Sequence, residues 1–167
     1  SVHSTAASRR CTARIRMPTP GGAKGSGQGL VWVRAYGKEA IKSPYVAARK
    51  TGTGNGKIQV TPEGGGAPSY VAETDLIARN PPGSRPDNCQ LLHLNEACVL
   101  ENVAARYMAS EIYTWTSHVL TAVNPYEPLA LYSDHMAAML PSMAPRDLPP
   151  HAFSVAELAV RLSLIHI

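Results

Sequence analysis

The residues best placed to touch a ligand lie at one strand exit: Asn124, Pro125 and Tyr126, with Tyr132 closing the loop that follows. An amide can donate to or accept from a polar edge, and phenol rings offer flat apolar walls. Pro125 removes a backbone donor, and Asn124 before it is biased towards extended backbone, so a strand should end there. Glu127-Pro128 marks a second turn. A loop leaving a strand end is a common ligand site in an α/β protein, although an Asn-Pro turn taken alone is by default only a turn.

Other candidates are weaker. Gly52-Thr53-Gly54-Asn55-Gly56-Lys57 crowds glycines against a lysine, as a phosphate loop does, but Ile58 follows Lys57 and a strand follows both. It lacks G-x-x-x-x-G-K-[ST] and reads as a hairpin turn. His93, His118, His135 and His151 have no Cys or carboxylate at metal-ligand spacing and read as surface or packing residues. Ser117-His118 is not expected to be a catalytic pair, because neighbours on a strand point to opposite faces. Met136, Met139 and Met143 read as helix-side packing. Cys11, Cys89 and Cys98 form neither an even framework nor a close pair, and read as free or buried thiols.

The elements that must hold the strand exit divide into two halves. From Leu30 to about Ala78, short apolar or alternating runs (Leu30–Val33, Ala40–Ala48 broken by Pro44, Lys57–Thr61, Ser69–Ala72) are separated by Gly-rich connections. Four or five short strands in this space suggest a small antiparallel barrel. Asn80-Pro81-Pro82-Gly83 is a linker. Asp87 with Gln90 has the form of a capping box, and Asn95 caps a helix whose Leu100, Val103, Ala104, Tyr107 and Met108 make one apolar stripe expected to be buried. Ile112 to Asn124 reads as the central buried strand. Ser133-Asp134 opens a helix through Leu140. Pro149-Pro150 opens a last one, with Ala152, Phe153, Ala156, Ala159 and Val160 on a shared face.

Of the 13 glycines only Gly83 lies beyond Gly66, so turn-rich structure precedes denser apolar structure. The net charge of +4 is uneven: residues 1–28 hold five basic residues and no acid, and the remainder holds 11 basic against 12 acidic. That places the excess in a tail read as disordered, with an organelle-targeting leader as the other reading. Nucleic-acid binding is disfavoured, since it calls for clustered charge on folded structure. No apolar run is long enough to span a bilayer.

Taken together, the motifs resemble the start of a myosin motor domain, over about residues 29–161. Leu30-Val31-Trp32-Val33 is similar to the first strand of that family's SH3-like barrel, and Asn80-Pro81-Pro82 to the linker leaving it. Leu92 to Val103 with Arg106-Tyr107 resembles L-x-x-L-N-E-x-x-V-L-x-N-L-x-x-R-Y. Ile112-Tyr113-Thr114-Trp115 and Ala122-Val123-Asn124-Pro125-Tyr126 resemble I-Y-T-Y and A-V-N-P-Y. Leu148 to Ala156 resembles L-P-P-H-I-F-A-I-A.

The resemblance implies an α+β chain: a basic tail (1–28), an SH3-like antiparallel barrel (29–79), and the first helices and strands of a P-loop α/β motor (80–167). It implies an actin-activated, ATP-dependent motor in the cytoplasm and cytoskeleton, with actin filaments and light chains as partners of the full-length protein, though neither is expected to bind this chain. It places Asn124, Pro125, Tyr126 and Tyr132 against the adenine of ATP. Glu127 and Pro128 stand where the family often has basic residues. Neither a P-loop sequence nor the switch segments that hold Mg²⁺ occur in these 167 residues, so no catalytic residue or metal ligand is assigned. The chain alone is expected neither to hydrolyse ATP nor to move on actin, and its second half to leave apolar faces without partners. The competing reading is a stand-alone SH3-like interaction module carrying a remnant motor segment.

Overall fold

The computed structural model describes residues 29–36 and 38–165. The basic stretch 1–28, with its leader reading and Cys11, lies outside the described residues, as do residues 166–167. Five strands form the first sheet: β1 (Leu30–Arg34), β2 (Tyr45–Gly54), β3 (Lys57–Pro62), β4 (Ser69–Val71) and β5 (Leu76–Ala78). Their order is β4-β3-β2-β1-β5, and every neighbouring pair is antiparallel. Asn55 and Gly56, both at positive φ (53° and 70°), turn β2 into β3. Two left-handed residues are what a tight hairpin of right-twisted strands requires. Lys57 therefore opens a strand and stands exposed, as expected for a hairpin.

One departure lies in the stretch Ala40–Ala48. Its first residues belong to a short helix, α1 (Lys38–Lys42), and the strand begins only at Tyr45, after Pro44. Proline has no N–H to give to a ladder, so the strand starts past it.

Alternation along β1 sends Val31 and Trp32 to opposite faces. Val31 packs with Ala48 and Val60 on one side of the sheet. Trp32 packs with Tyr45, and with Ala97 and Cys98 of α2 (Glu96–Met108), on the other. The small side chains of Ala97 and Cys98 let the helix backbone approach the sheet. Polar ties fix the approach: Tyr45 Oη donates to Glu96 at 2.8 Å, Asn95 Nδ2 to the Ala78 carbonyl at 2.9 Å, and Cys98 Sγ to the same carbonyl at 3.4 Å.

Asn95 caps α2 as expected, accepting from the Cys98 amide at 3.0 Å. Asp87 instead caps a single 3₁₀ turn, Asn88–Gln90, accepting from the Cys89 amide at 2.8 Å. The apolar stripe read on α2 is not its buried face: Leu100 is 48% exposed and Met108 74%. The buried side holds Ala97, Cys98, Asn102 and Arg106. Asn102 accepts from the Arg85 amide (2.7 Å) and donates to the Arg85 carbonyl (3.0 Å) and to Asn88 (2.8 Å). Asn88 in turn donates to Thr116 at 2.9 Å. Arg106 donates to Thr114 Oγ1 and to the Tyr113 carbonyl. Buried polar groups must find partners, and here the partners are the elements that α2 has to hold in place.

The central strand is in fact a hairpin, β6 (Tyr113–Thr116) with β7 (Val119–Ala122). Ser117 turns at φ 57°. The same turn brings Ser117 Oγ to 2.8 Å from His118 Nδ1, which side chains on opposite strand faces could not do. The pair is exposed.

Ser133 caps α3 (Asp134–Met139), and α4 (Ala152–Ile165) follows Pro149-Pro150-His151. On α4 the predicted shared face breaks up: Ala156, Ala159 and Val160 are exposed, while Ser154 is buried and Glu157 and Arg161 are half-buried. Arg161 donates to the carbonyls of Leu140, Pro141 and Met143 at 2.9–3.1 Å, so polar anchoring again decides which side is covered.

Candidate functional site

The four residues singled out from the sequence lie on the loop between β7 and α3. Asn124 Oδ1 accepts the Tyr126 amide at 2.9 Å, an Asx turn that holds Tyr126 at φ 54°. That bond occupies the amide oxygen and leaves the Nδ2 donors of exposed Asn124 to face outward. Tyr126 is 90% exposed.

Two tyrosines of the elements beneath pin the loop. Tyr107 of α2 donates to the Pro125 carbonyl at 3.3 Å. Tyr113 of β6 shares a short hydrogen bond between its hydroxyl and that of Tyr132. That bond, with burial and the neighbouring phenol adding to it, pushes the Tyr113 hydroxyl up to about 12. Tyr132 also belongs to an aromatic cluster, with ring centres 5.4 Å from His151 and 5.7 Å from Phe153. His151 lies 5.5 Å from Tyr113 and 4.9 Å from Phe153.

The structure thus fixes both ends of the predicted loop while leaving the amide of Asn124 and the ring of Tyr132 open to solvent. It does not bring Tyr126 onto Tyr132 as a closed pocket. One shallow cavity, about 320 Å³, lies between β1, β5 and His93, and another, about 230 Å³, lies between α3 and α4. Sequence reasoning missed Tyr107 and Tyr113 as supports. The sequence reads Tyr107 as part of the apolar stripe of α2 and Tyr113 as part of a continuous strand, so the motifs that contain them do not mark them as supports. Among the described residues no group of three or more His, Cys, Asp or Glu could hold a metal ion. No described helix is long and apolar enough to cross a membrane.

The myosin head (motor domain) family model covers residues 85–165. The chain is 36% identical over 135 residues to Myosin heavy chain 95F of Drosophila melanogaster, covering 79% of this chain and 10% of that protein. It is 45% identical over 82 residues to Myosin-13 of Arabidopsis thaliana (48% of this chain, 6% of that one). To unconventional myosin-VI of Sus scrofa it is 40% identical over 76 residues (45% and 6%). Residues 85–165 carry myosin motor-domain sequence, and the chain belongs to the myosin family. It spans a tenth or less of the length of these relatives.

Proposed function

We propose that this chain contributes the base-side wall of an ATP site to an actin-based myosin motor, with Asn124, Pro125, Tyr126 and Tyr132 as the contacts. The observation that carries this reading is the anchored loop itself. Its frame is held by Tyr107 and Tyr113, while an amide and a phenol ring face outward. Because Asn124 Oδ1 is engaged by the Tyr126 amide, its free Nδ2 hydrogens suit an acceptor such as a ring nitrogen of adenine. The Tyr132 ring, fixed by its hydroxyl and by His151, gives the flat apolar surface on which a base can lie.

Phosphate gripping and Mg²⁺ coordination are assigned to no residue here, since these 167 residues carry no P-loop sequence. ATP supplies the phosphoryl group of the motor's hydrolysis; this chain's part is to orient its base. Motor activity, actin and light-chain binding, and a place in the cytoskeleton belong to the full-length protein in this reading. The first sheet fits an SH3-like module, a proposal supported by the return of β5 to pair with β1.

Calorimetric titration of the 167-residue chain with adenosine, ATP and inorganic tripolyphosphate tests the reading. Base-only contacts predict similar weak affinities for adenosine and ATP, on the order of 1 mM, equivalent to about 4 kcal/mol. Tripolyphosphate should not compete. Competition by tripolyphosphate, or no binding of adenosine, would overturn it.

A further inference from the structure

His151 touches the loop at two points, the Leu131 carbonyl and the Tyr132 ring. It is 4% exposed, and both ring nitrogens are engaged. Nδ1 accepts the Phe153 amide at 3.0 Å, which makes Nδ1 the unprotonated nitrogen. Nε2–H is therefore free to donate to the Leu131 carbonyl at 3.1 Å, one residue before Tyr132. The ring also packs edge-on against Tyr113 and at a tilt against Tyr132, the two phenols that share a hydrogen bond.

One imidazole thus binds the backbone entering the wall residue, braces the ring of that residue, braces the phenol that holds its hydroxyl, and caps the first turn of α4. We propose that His151 is a positioning residue for the adenine wall, setting the orientation of Tyr132 and joining the loop to the start of α4. This rests on the base-binding reading of residues 124–132. No atom of His151 need touch the nucleotide. Its contribution is to hold a half-exposed ring in one pose, so that little ordering remains to be done when a base arrives.

The decisive variant is His151→Asn. Asparagine is a favoured N-cap and can still accept from the Phe153 amide, so α4 keeps its first turn. It is too short to reach Leu131 and offers no ring to Tyr113 or Tyr132. Adenosine affinity should fall about five- to tenfold, the equivalent of one lost hydrogen bond and its ordering. The thermal midpoint should fall by a few degrees, as for any truncation at a packed site, so affinities are compared at a temperature where both proteins are folded.

A second readout needs no nucleotide. Ultraviolet titration of the phenols should show the high-pH tyrosine of the parent moving back towards an ordinary tyrosine in His151→Asn, as the Tyr113–Tyr132 contact loosens. Unchanged affinity with an unchanged phenol titration would overturn the role of His151 while leaving base binding intact. If the parent binds no adenosine, the base-binding reading falls instead, and the phenol titration alone decides whether His151 holds Tyr132.

Discussion

The guanidinium of Arg79 lies 4.7 Å from the ring centre of Trp32, and the two close the seam between the first sheet and α2. Arg79 is 7% exposed and reaches Glu63 at 2.5 Å and Glu101 at 2.6 Å. Burial works against its charge, but the bonds to Glu101 and Glu63 outweigh that and raise its pKa. A planar fork over an indole, holding one carboxylate from the sheet side and one from the helix side, is a task a lysine does poorly.

Replacing Arg79 with Met should remove the shared cation and leave two carboxylates facing the same space. The expected loss is about 3 kcal/mol, as for breaking a buried ion pair. Urea unfolding should show a lower midpoint with an unchanged slope, and Arg79→Lys should recover only part of the difference.

Asn102 is the second joint. Asn102→Leu keeps the volume but strands the Arg85 amide, the Arg85 carbonyl and the Asn88 side chain that it now satisfies. Leaving several buried polar groups unpaired should cost about 3 kcal/mol or more, a larger effect than Leu100→Asn on the exposed side of the same helix. Thermal melts of the two variants check the order.

Ser154 offers the opposite sign. It is fully buried, and its hydroxyl has no partner. Ser154→Ala removes that hydroxyl and improves helix propensity, so it should stabilise the chain by about 1 kcal/mol. A lower melting temperature would mean that the hydroxyl has a partner in solution.

Alkaline pH should weaken the loop's anchor. The Tyr113 hydroxyl is raised from 10.0 to about 12, so the folded chain keeps a proton that the unfolded chain releases. That contribution is complete below about pH 10 and is lost as pH climbs towards 12. Tyr132→Phe removes the partner and should flatten this part of the stability profile. Tyr36 and Tyr45, which are raised by bonds to Asp75 and Glu96, set the background common to both proteins.

What the sequence made legible was local chemistry with a fixed signature. Asn95 and Ser133 cap their helices, Asn55-Gly56 turns its hairpin, and the motif order identified the family. The errors share a cause. Counting apolar positions on α2 and α4 pointed to the wrong faces, because the covered sides are set by Asn102, Arg106 and Arg161. Those residues satisfy backbone carbonyls and amides outside their own helices. Ser117-His118 does not read as a turn because neither residue is glycine or proline and the residues on either side, Thr116 and Val119, are β-formers. The strand exit at Asn124-Pro125 and the exposed loop after it are legible from the two prolines, Pro125 and Pro128. The tyrosines and the histidine that fix it become apparent only once the hairpin and α4 converge.

The chain has two tryptophans, and the fold gives each a different duty. Trp32 sits under Arg79 with an indole N–H that has no partner, whereas the Trp115 indole donates to the Leu148 carbonyl at 3.3 Å. Their emission should therefore differ in wavelength and in quenching, giving two optical gauges at separate joints. Single Trp→Phe substitutions would tell whether denaturant parts the sheet from its helix before, or together with, the hairpin from the segment that leads into α4.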